Sequence, residues 1–433
     1  MKYNFTTRFI KRLANLQLAI ILLFTIGFTI AIGTVIEQDQ ALAFYKENYP
    51  IDKPLFGFLT WKIVLFFNLD RLYTAWWFLL ILFLFATSLL ACTFTTQLPS
   101  LKTFKIWKFY TQPKQFENLT VNSNVQLETS NAFIYNCNNK RYHFFRQRKK
   151  GYAYSGLLGR VGPIVVHASI VLLLIGSTLG SFGGYIAQEL IPRGEISHIQ
   201  NITKFGDLSY LPQNVSCRIN DFWITYTKEL KTEQFYSDLS LLDPNGKELI
   251  RKTIFVNEPL TFNDIVLYQT DWDILGLKLG LSNKEVFQLP LKKITKGGRK
   301  FWLGSLTLGV DSTDKITILI NDLKSELLIY DVKGIFLEGV SIGDSITINN
   351  NLKIQVLDYI TSTGLQIKSD PGISTVYFSF LLLMLSIYVS FFTYSQIWSV
   401  EELSQITIGG KSNRAVLFFQ EEFRKILKLT IIQ

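Results

Sequence analysis

Cysteine, histidine and charge are all scarce in this chain. Three Cys in 433 residues are too few for a disulfide-stapled scaffold. They stand far apart, at Cys92, Cys137 and Cys217, and form no CxxC pair, which argues against a thioredoxin-like dithiol. Three His cannot build a multi-histidine metal centre and leave much over. Asp, Glu, Lys and Arg make up 18% of residues, against about 25% in a soluble globular chain. GxxxxGK[ST] and HExxH are absent, which removes the common phosphate-loop and zinc-protease readings. No CxxCH occurs, so the chain does not attach a c-type heme to itself.

Apolar and aromatic residues fill the gap. Hydrophobic residues are 48% of the chain, with 35 Phe, 19 Tyr and 8 Trp, so overall disorder is excluded. Four apolar runs, nearly free of charge inside, are long enough to span about 30 Å of hydrocarbon as helix. They cover 16–36, 75–94, 162–185 and 372–394. Buried helices of a large soluble core are the alternative, but four such runs are hard to place inside one. Lys2, Arg8, Lys11 and Arg12 precede the first run as they would in a secretion signal. That run is too long and ends without an Ala-x-Ala-like site, so it reads as a retained anchor. Nothing before Leu16 resembles a transit peptide.

Charge predicts orientation. The segment before Leu16 has four basic residues and no acid, and 95–160 has eleven basic and two acidic. The 37–74 loop has four basic and five acidic, and 180–370 has twenty basic and twenty-three acidic. The positive-inside rule puts both termini and the basic region on the cytoplasmic or stromal side. The expected order is 1–15 inner N-terminus, 16–36 span, 37–74 outer loop, 75–94 span and 95–161 basic inner region. Then follow 162–185 span, 186–371 outer domain, 372–394 span and 395–433 inner tail. The net charge of +10 is then a topology signal. No nucleic-acid motif accompanies it.

The outer domain reads as β structure. Runs at 222–226, 253–256, 265–268, 316–320 and 352–357 are rich in β-branched and aromatic residues. Asp243-Pro244-Asn245-Gly246, Gly297-Gly298 and Gly343-Asp344 punctuate them. A sandwich or open barrel between two helices is the simplest picture. In the basic region, Leu98-Pro99 is expected to break the second helix. Leu101, Phe104, Ile106 and Trp107 then interleave with Lys102, Lys105 and Lys108, as in a segment lying on an anionic membrane surface. A hairpin is expected around Asn138-Asn139. The Arg146 to Lys150 cluster reads as a topology and solvation feature.

Two residues carry the chemical interest. His167 lies about four residues past Pro163 in the third span. An imidazole in hydrocarbon asks for a partner. It is a histidine bonded to a Thr or Ser of a neighbouring helix, a ligand to heme or metal with another subunit completing the site, or a proton relay. Gly176, Gly180, Gly183 and Gly184 thin the outer half of the same helix, as close helix contact requires. Asp370 precedes Pro371-Gly372 at the mouth of the fourth span. There Pro371 can begin the helix and Asp370 can cap it.

Several segments, in this order on this topology, resemble the ResB (CcsB) family of system II cytochrome c biogenesis. They are Ile32-Gly33-Thr34-Val35-Ile36-Glu37-Gln38, Tyr49-Pro50, and Asp70-Arg71-Leu72-Tyr73-Thr74-Ala75-Trp76-Trp77-Phe78. Ser88-Leu89-Leu90-Ala91-Cys92-Thr93 and Gln97-Leu98-Pro99 follow, then Gly162-Pro163 with His167. Leu267-Tyr268-Gln269-Thr270-Asp271-Trp272, Asp370-Pro371-Gly372 and Gly409-Gly410-Lys411-Ser412-Asn413-Arg414 complete the set. The resemblance implies a four-helix integral membrane protein with a large β-rich lumenal or periplasmic domain. It implies a role in covalent heme attachment to apocytochromes c, as a co-catalytic or non-catalytic subunit of a heme-lyase complex with a CcsA-type partner. By the same resemblance His167 is a heme ligand, with the heme transient and shared with that partner. Asp370 is then functionally required. The implied clients are cytochrome f and a soluble lumenal c-type cytochrome. A plastid thylakoid location is implied, with a cyanobacterial membrane as the alternative. A scaffold that binds apocytochrome without ligating heme is the competing reading.

Overall fold

Four helices are long and apolar enough to cross a membrane: Leu16–Val35 (α1), Trp76–Lys102 (α2), Gly162–Gly183 (α3) and Ile373–Ser390 (α4). The computed structural model describes residues 5–104, 106–126, 130–228, 232–281, 285–296, 299–307, 315–324, 326–348, 352–402 and 405–432. Lys2, Lys105 and the Gly297-Gly298 turn lie outside the described residues. The chain divides into Met1–Ser181 with Gly372–Gln433, and Phe182–Pro371.

In the first unit, α1 starts at Asn15, whose side chain accepts the Gln17 amide at 2.9 Å. Gln38 staples its other end. Its Nε2 donates to the carbonyls of Gly33, Ile36 and Leu69, and its Oε1 accepts from the Leu72 amide. One side chain thus meets carbonyls freed at a helix end and ties α1 to the segment that leads into α2. The second helix does not break at Leu98-Pro99. An α-helix, Trp76–Cys92, passes through a π turn, Thr93–Gln97, into Leu98–Phe104. A regular turn would press the proline ring against the carbonyl four residues back, and the wider π turn admits it.

α3 and α4 approach through glycine. A Cβ on Gly372 would sit 2.0 Å from the Gly176 carbonyl oxygen and 2.7 Å from the Gly180 nitrogen. Phe24, Phe28, Met384 and Tyr388 stand on the exposed faces of α1 and α4, as lipid-facing side chains do. The fourth helix is capped by Gly372, so Pro371 stands ahead of the helix and not in its first turn. α4 ends at Ser390, where the chain turns into a strand.

That strand belongs to a sheet the sequence does not announce. Its spatial order is Val121–Gln126, Gln405–Ser412, Ser395–Glu401, Lys150–Ser155 and His143–Gln147, all antiparallel. What reads as a C-terminal tail is therefore two central strands and a helix, Val416–Ile432. Asn138-Asn139 closes a helix, Ser130–Asn139, and makes no hairpin. Phe133 and Cys137 bury one face of it in a core with Phe419, Phe423 and Ile426, spaced as a helix stripe requires. The hairpin follows, with Arg146 paired to Glu401 at 2.7 Å. Trp107 stacks on Phe145 at 3.9 Å, so that aromatic is held by this hairpin.

The second unit has three sheets over two cores, in place of one sandwich or barrel. Its strands include Tyr185–Pro192 (β1), Ser216–Tyr226 (β2), Thr232–Leu242 (β3), Ile265–Leu281 (β4) and Leu352–Ser369 (β5). β4 and β5 are 17 and 18 residues long, so each serves both cores. Ile265, Leu267, Leu365 and Ile367 join the core beneath β2 and β3. Leu277, Leu279, Ile354 and Val356 join the other, around Trp302. Irregularities between Gln269 and Asp271 and between Ile274 and Gly276 interrupt the ladder between the two ends, as bulges do.

Two predictions follow from this packing. Gly372→Ala will lower Tm in detergent by the several degrees expected of overpacking at about 1–3 kcal/mol, while Gly27→Ala, with nothing within 4 Å, will not. Glu422 accepts from the buried Tyr142 hydroxyl at 3.1 Å, and burial raises its carboxyl above the ordinary 4.5. The folded state then holds this proton to higher pH than the unfolded chain, and stability from this group falls as pH rises through the raised value. Glu422→Gln will show a higher Tm than wild type above neutral pH, and the gap will close as pH falls towards the ordinary carboxylate value.

Candidate functional site

The imidazole of His167 sits half-buried on the second turn of α3. Its partners come from the end of α2. Nδ1 lies 3.0 Å from the Thr93 hydroxyl, and Nε2 lies 3.2 Å from the Gln97 side-chain nitrogen. The Thr93 hydroxyl in turn donates to the Leu89 carbonyl at 2.9 Å. With that single proton spent on Leu89, the Thr93 oxygen is left to accept, so the imidazole proton belongs on Nδ1. Nε2 then carries the lone pair and accepts from Gln97. Buried Thr93 therefore selects the tautomer, as an outer partner of a ligating histidine does.

The π turn positions these partners. Thr93 and Gln97 are its first and last residues, four apart and on one side of the helix. Both lie within hydrogen-bond reach of the His167 ring. Single-turn π segments recur at functional sites. The Gln97 Oε1 atom is buried without a hydrogen-bond partner. Neither residue was singled out above as a partner, though both stand in the motifs quoted there.

A neutral imidazole with Nδ1 held by Thr93 and its lone pair on Nε2, here shared with Gln97, is a donor of the kind heme iron takes. The set would supply one such ligand. His143 lies on a strand with its ring 5.3 Å from Tyr154, and His198 lines a small cavity of the second unit. Among the described residues no group of three or more His, Cys, Asp or Glu is placed to hold a metal ion.

Asp370 belongs to the second unit and His167 to the first, so each stands by itself. The Asp370 carboxylate lies 3.4 Å from the Lys368 ammonium at the end of β5. The three cysteines are free. Burial pushes the Cys217 thiol up to about 12 and raises Cys137 as well, which leaves neither as a reactive thiolate at neutral pH.

The model of the ResB-like family matches residues 16–300 and 324–424. Cytochrome c biogenesis protein Ccs1 of Emiliania huxleyi is 52% identical over 424 residues, covering 98% of this chain and 96% of that one. Ccs1 of Thalassiosira pseudonana is 43% identical, covering 96% and 99%. Cytochrome c biogenesis protein CcsB of Trichormus variabilis is 44% identical, covering 97% and 92%. A solved structure of Cytochrome c Heme Lyase CcmF aligns over 76% of this chain and 42% of its own length. That alignment has 13% identity and a TM-score of 0.25, too loose a likeness to carry an argument. A match through all four spanning helices and most of the β-rich unit, with relatives alike from end to end, makes this chain a member of the ResB-like family.

Proposed function

We propose that this chain works in system II cytochrome c biogenesis as a heme-handling subunit for covalent attachment to apocytochromes c. The names of its relatives support the process. The tautomer relay at His167 carries the chain's own part in it. Thr93 keeps the imidazole proton on Nδ1, and the Nε2 lone pair would be offered to the heme iron as one ligand. Gln97 would turn aside, and its buried Oε1 has no bond to lose in that turn. A histidine of a CcsA-type membrane partner would supply the other ligand. Heme, when bound, supplies the vinyl groups to which the two client thiols add. The contribution of this chain is to bind and orient, as a co-catalytic or non-catalytic subunit of a heme lyase.

Charge supports a topology with both termini and the basic 95–161 region in the stroma and the β-rich unit in the thylakoid lumen. The algal and cyanobacterial relatives support a plastid or cyanobacterial membrane. Expected clients are cytochrome f and a soluble lumenal c-type cytochrome. Asp370, beside Lys368 at the entry to α4, is assigned a required role there. A second reading is favoured by one observation: both ring nitrogens of His167 already have partners within the chain. In that scaffold reading the partner alone ligates heme.

Purified with its partner, the wild type will show a low-spin heme spectrum that His167→Ala loses or shifts. An unchanged spectrum favours the scaffold. Thr93→Val, which removes the acceptor for Nδ1–H, will weaken heme retention roughly tenfold or more, and Thr93→Ser will restore it. Equal retention in all three proteins would remove Thr93 from the site.

A further inference from the structure

One strand edge in the second unit is left open beside a cleft. β2 pairs with β3 along its length, and among the described residues its other side pairs only with Ile196–Ser197, at Cys217 and Arg218. Ile219 closes that paired stretch through backbone bonds with Gly194 and Glu195. Beyond it, among the described residues, no strand pairs with that side of β2. The Phe222 amide there is met by the carboxylate of its own neighbour Asp221 at 2.8 Å. In an antiparallel ladder the amides alternate between the two sides. Phe222 thus marks Ile224 and Tyr226 as the residues whose backbone groups face outward.

A cleft of about 660 Å³ lies along this edge. The five consecutive residues from Phe222 to Tyr226 all line it. A strand face cannot do this, because successive side chains point to opposite faces. A strand edge can. The far wall includes Asp358, Tyr359 and Thr361 of β5. There the Tyr359 amide is likewise met by its own neighbour, Asp358, at 2.8 Å. The Thr361 hydroxyl oxygen is buried in that wall with no partner. Trp223, stacked on Tyr236 of β3 at 5.4 Å, offers an aromatic platform beside the edge.

We propose that this edge receives an extended segment of polypeptide as an added strand, and that the segment is the unfolded client around its heme-attachment cysteines. The identity of the client rests on the function proposed above. The backbone chemistry selects the class of ligand. A row of outward amides and carbonyls is met in full by another extended chain. The stretch of five residues spans about 16 Å, which suits a short unfolded segment. Asp221 caps one amide of this edge and Asp358 one amide of the facing wall, which leaves Ile224 available and guards against casual pairing.

The test uses the full-length protein in detergent. The probe is a synthetic peptide carrying a CxxCH segment with both cysteines replaced by serine. A photo-crosslinking residue is placed at Thr225, at Lys324 in the cleft wall, and at the exposed Val332 as a control. Crosslinks are expected at the first two positions and not at the third. Ile224→Pro removes an outward amide and leaves the β2–β3 ladder its own bonds, so crosslinking should fall at least tenfold at unchanged Tm. Ile224→Val should match wild type. If Ile224→Pro does not fold, the crosslink map and a several-fold loss with Thr361→Val decide. Crosslinks away from the cleft, crosslinks between two copies of this chain, or binding that survives Ile224→Pro in a folded protein would overturn the proposal. Spectra of the His167 variants test the heme reading separately, so either reading can fail without the other.

Discussion

The hydrogen bond between Thr93 and His167 is the interaction on which the functional reading depends. An imidazole in an apolar helix must satisfy two ring nitrogens where water is absent. Thr93 settles one of them, and its own proton goes back to Leu89. That leaves one nitrogen with a defined lone pair and a replaceable neighbour, Gln97. Thr93 fixes the tautomer on one side, and Gln97 meets the lone pair on the other. The π turn keeps the helix intact for one more turn and holds both side chains level with α3.

Glycine and glutamine set the frame around that relay. Gly372 lets the start of α4 lie against Gly176 and Gly180 of α3 at backbone distance. Gln38 ties the end of α1 to the approach of α2 through four hydrogen bonds. These close contacts join α3 to α4, and α1 to the segment that leads into α2, through uncharged groups. Outside the spans, sheets carry the order. One is assembled from segments on either side of the β-rich unit in sequence, and two long strands carry both cores of that unit.

Much of this was legible in the sequence, and the rest was hidden for identifiable reasons. The four spans showed because they lack charge over lengths that soluble helices rarely reach. The strands of the β-rich unit showed at 222–226 or 316–320 because β-branched and aromatic residues cluster between turn residues. The smaller sheet did not show. Ser395–Glu401 pairs with Lys150–Ser155, and nothing local reveals a partner so far along the chain. Asn138-Asn139 misled because asparagine pairs favour turns, yet a buried stripe of Phe133 and Cys137 held the helix to that point. His167 was visible as the lone imidazole of a span. Thr93 and Gln97 were not, since polar residues beside a proline look like the end of a helix. Their place in the family-like segments was the one available signal.

The central claim is that His167 itself enters the ligand field of the heme. It can be read directly by labelling histidine with nitrogen-15 in this chain alone, in a background where His143 and His198 are replaced by glutamine. Assembled with an unlabelled partner and oxidised, the heme is examined by electron-nuclear double resonance. The shared-site reading predicts a strong nitrogen-15 coupling from one axial imidazole. A spectrum with nitrogen-14 couplings alone would contradict it and leave this chain as the scaffold around a heme held elsewhere.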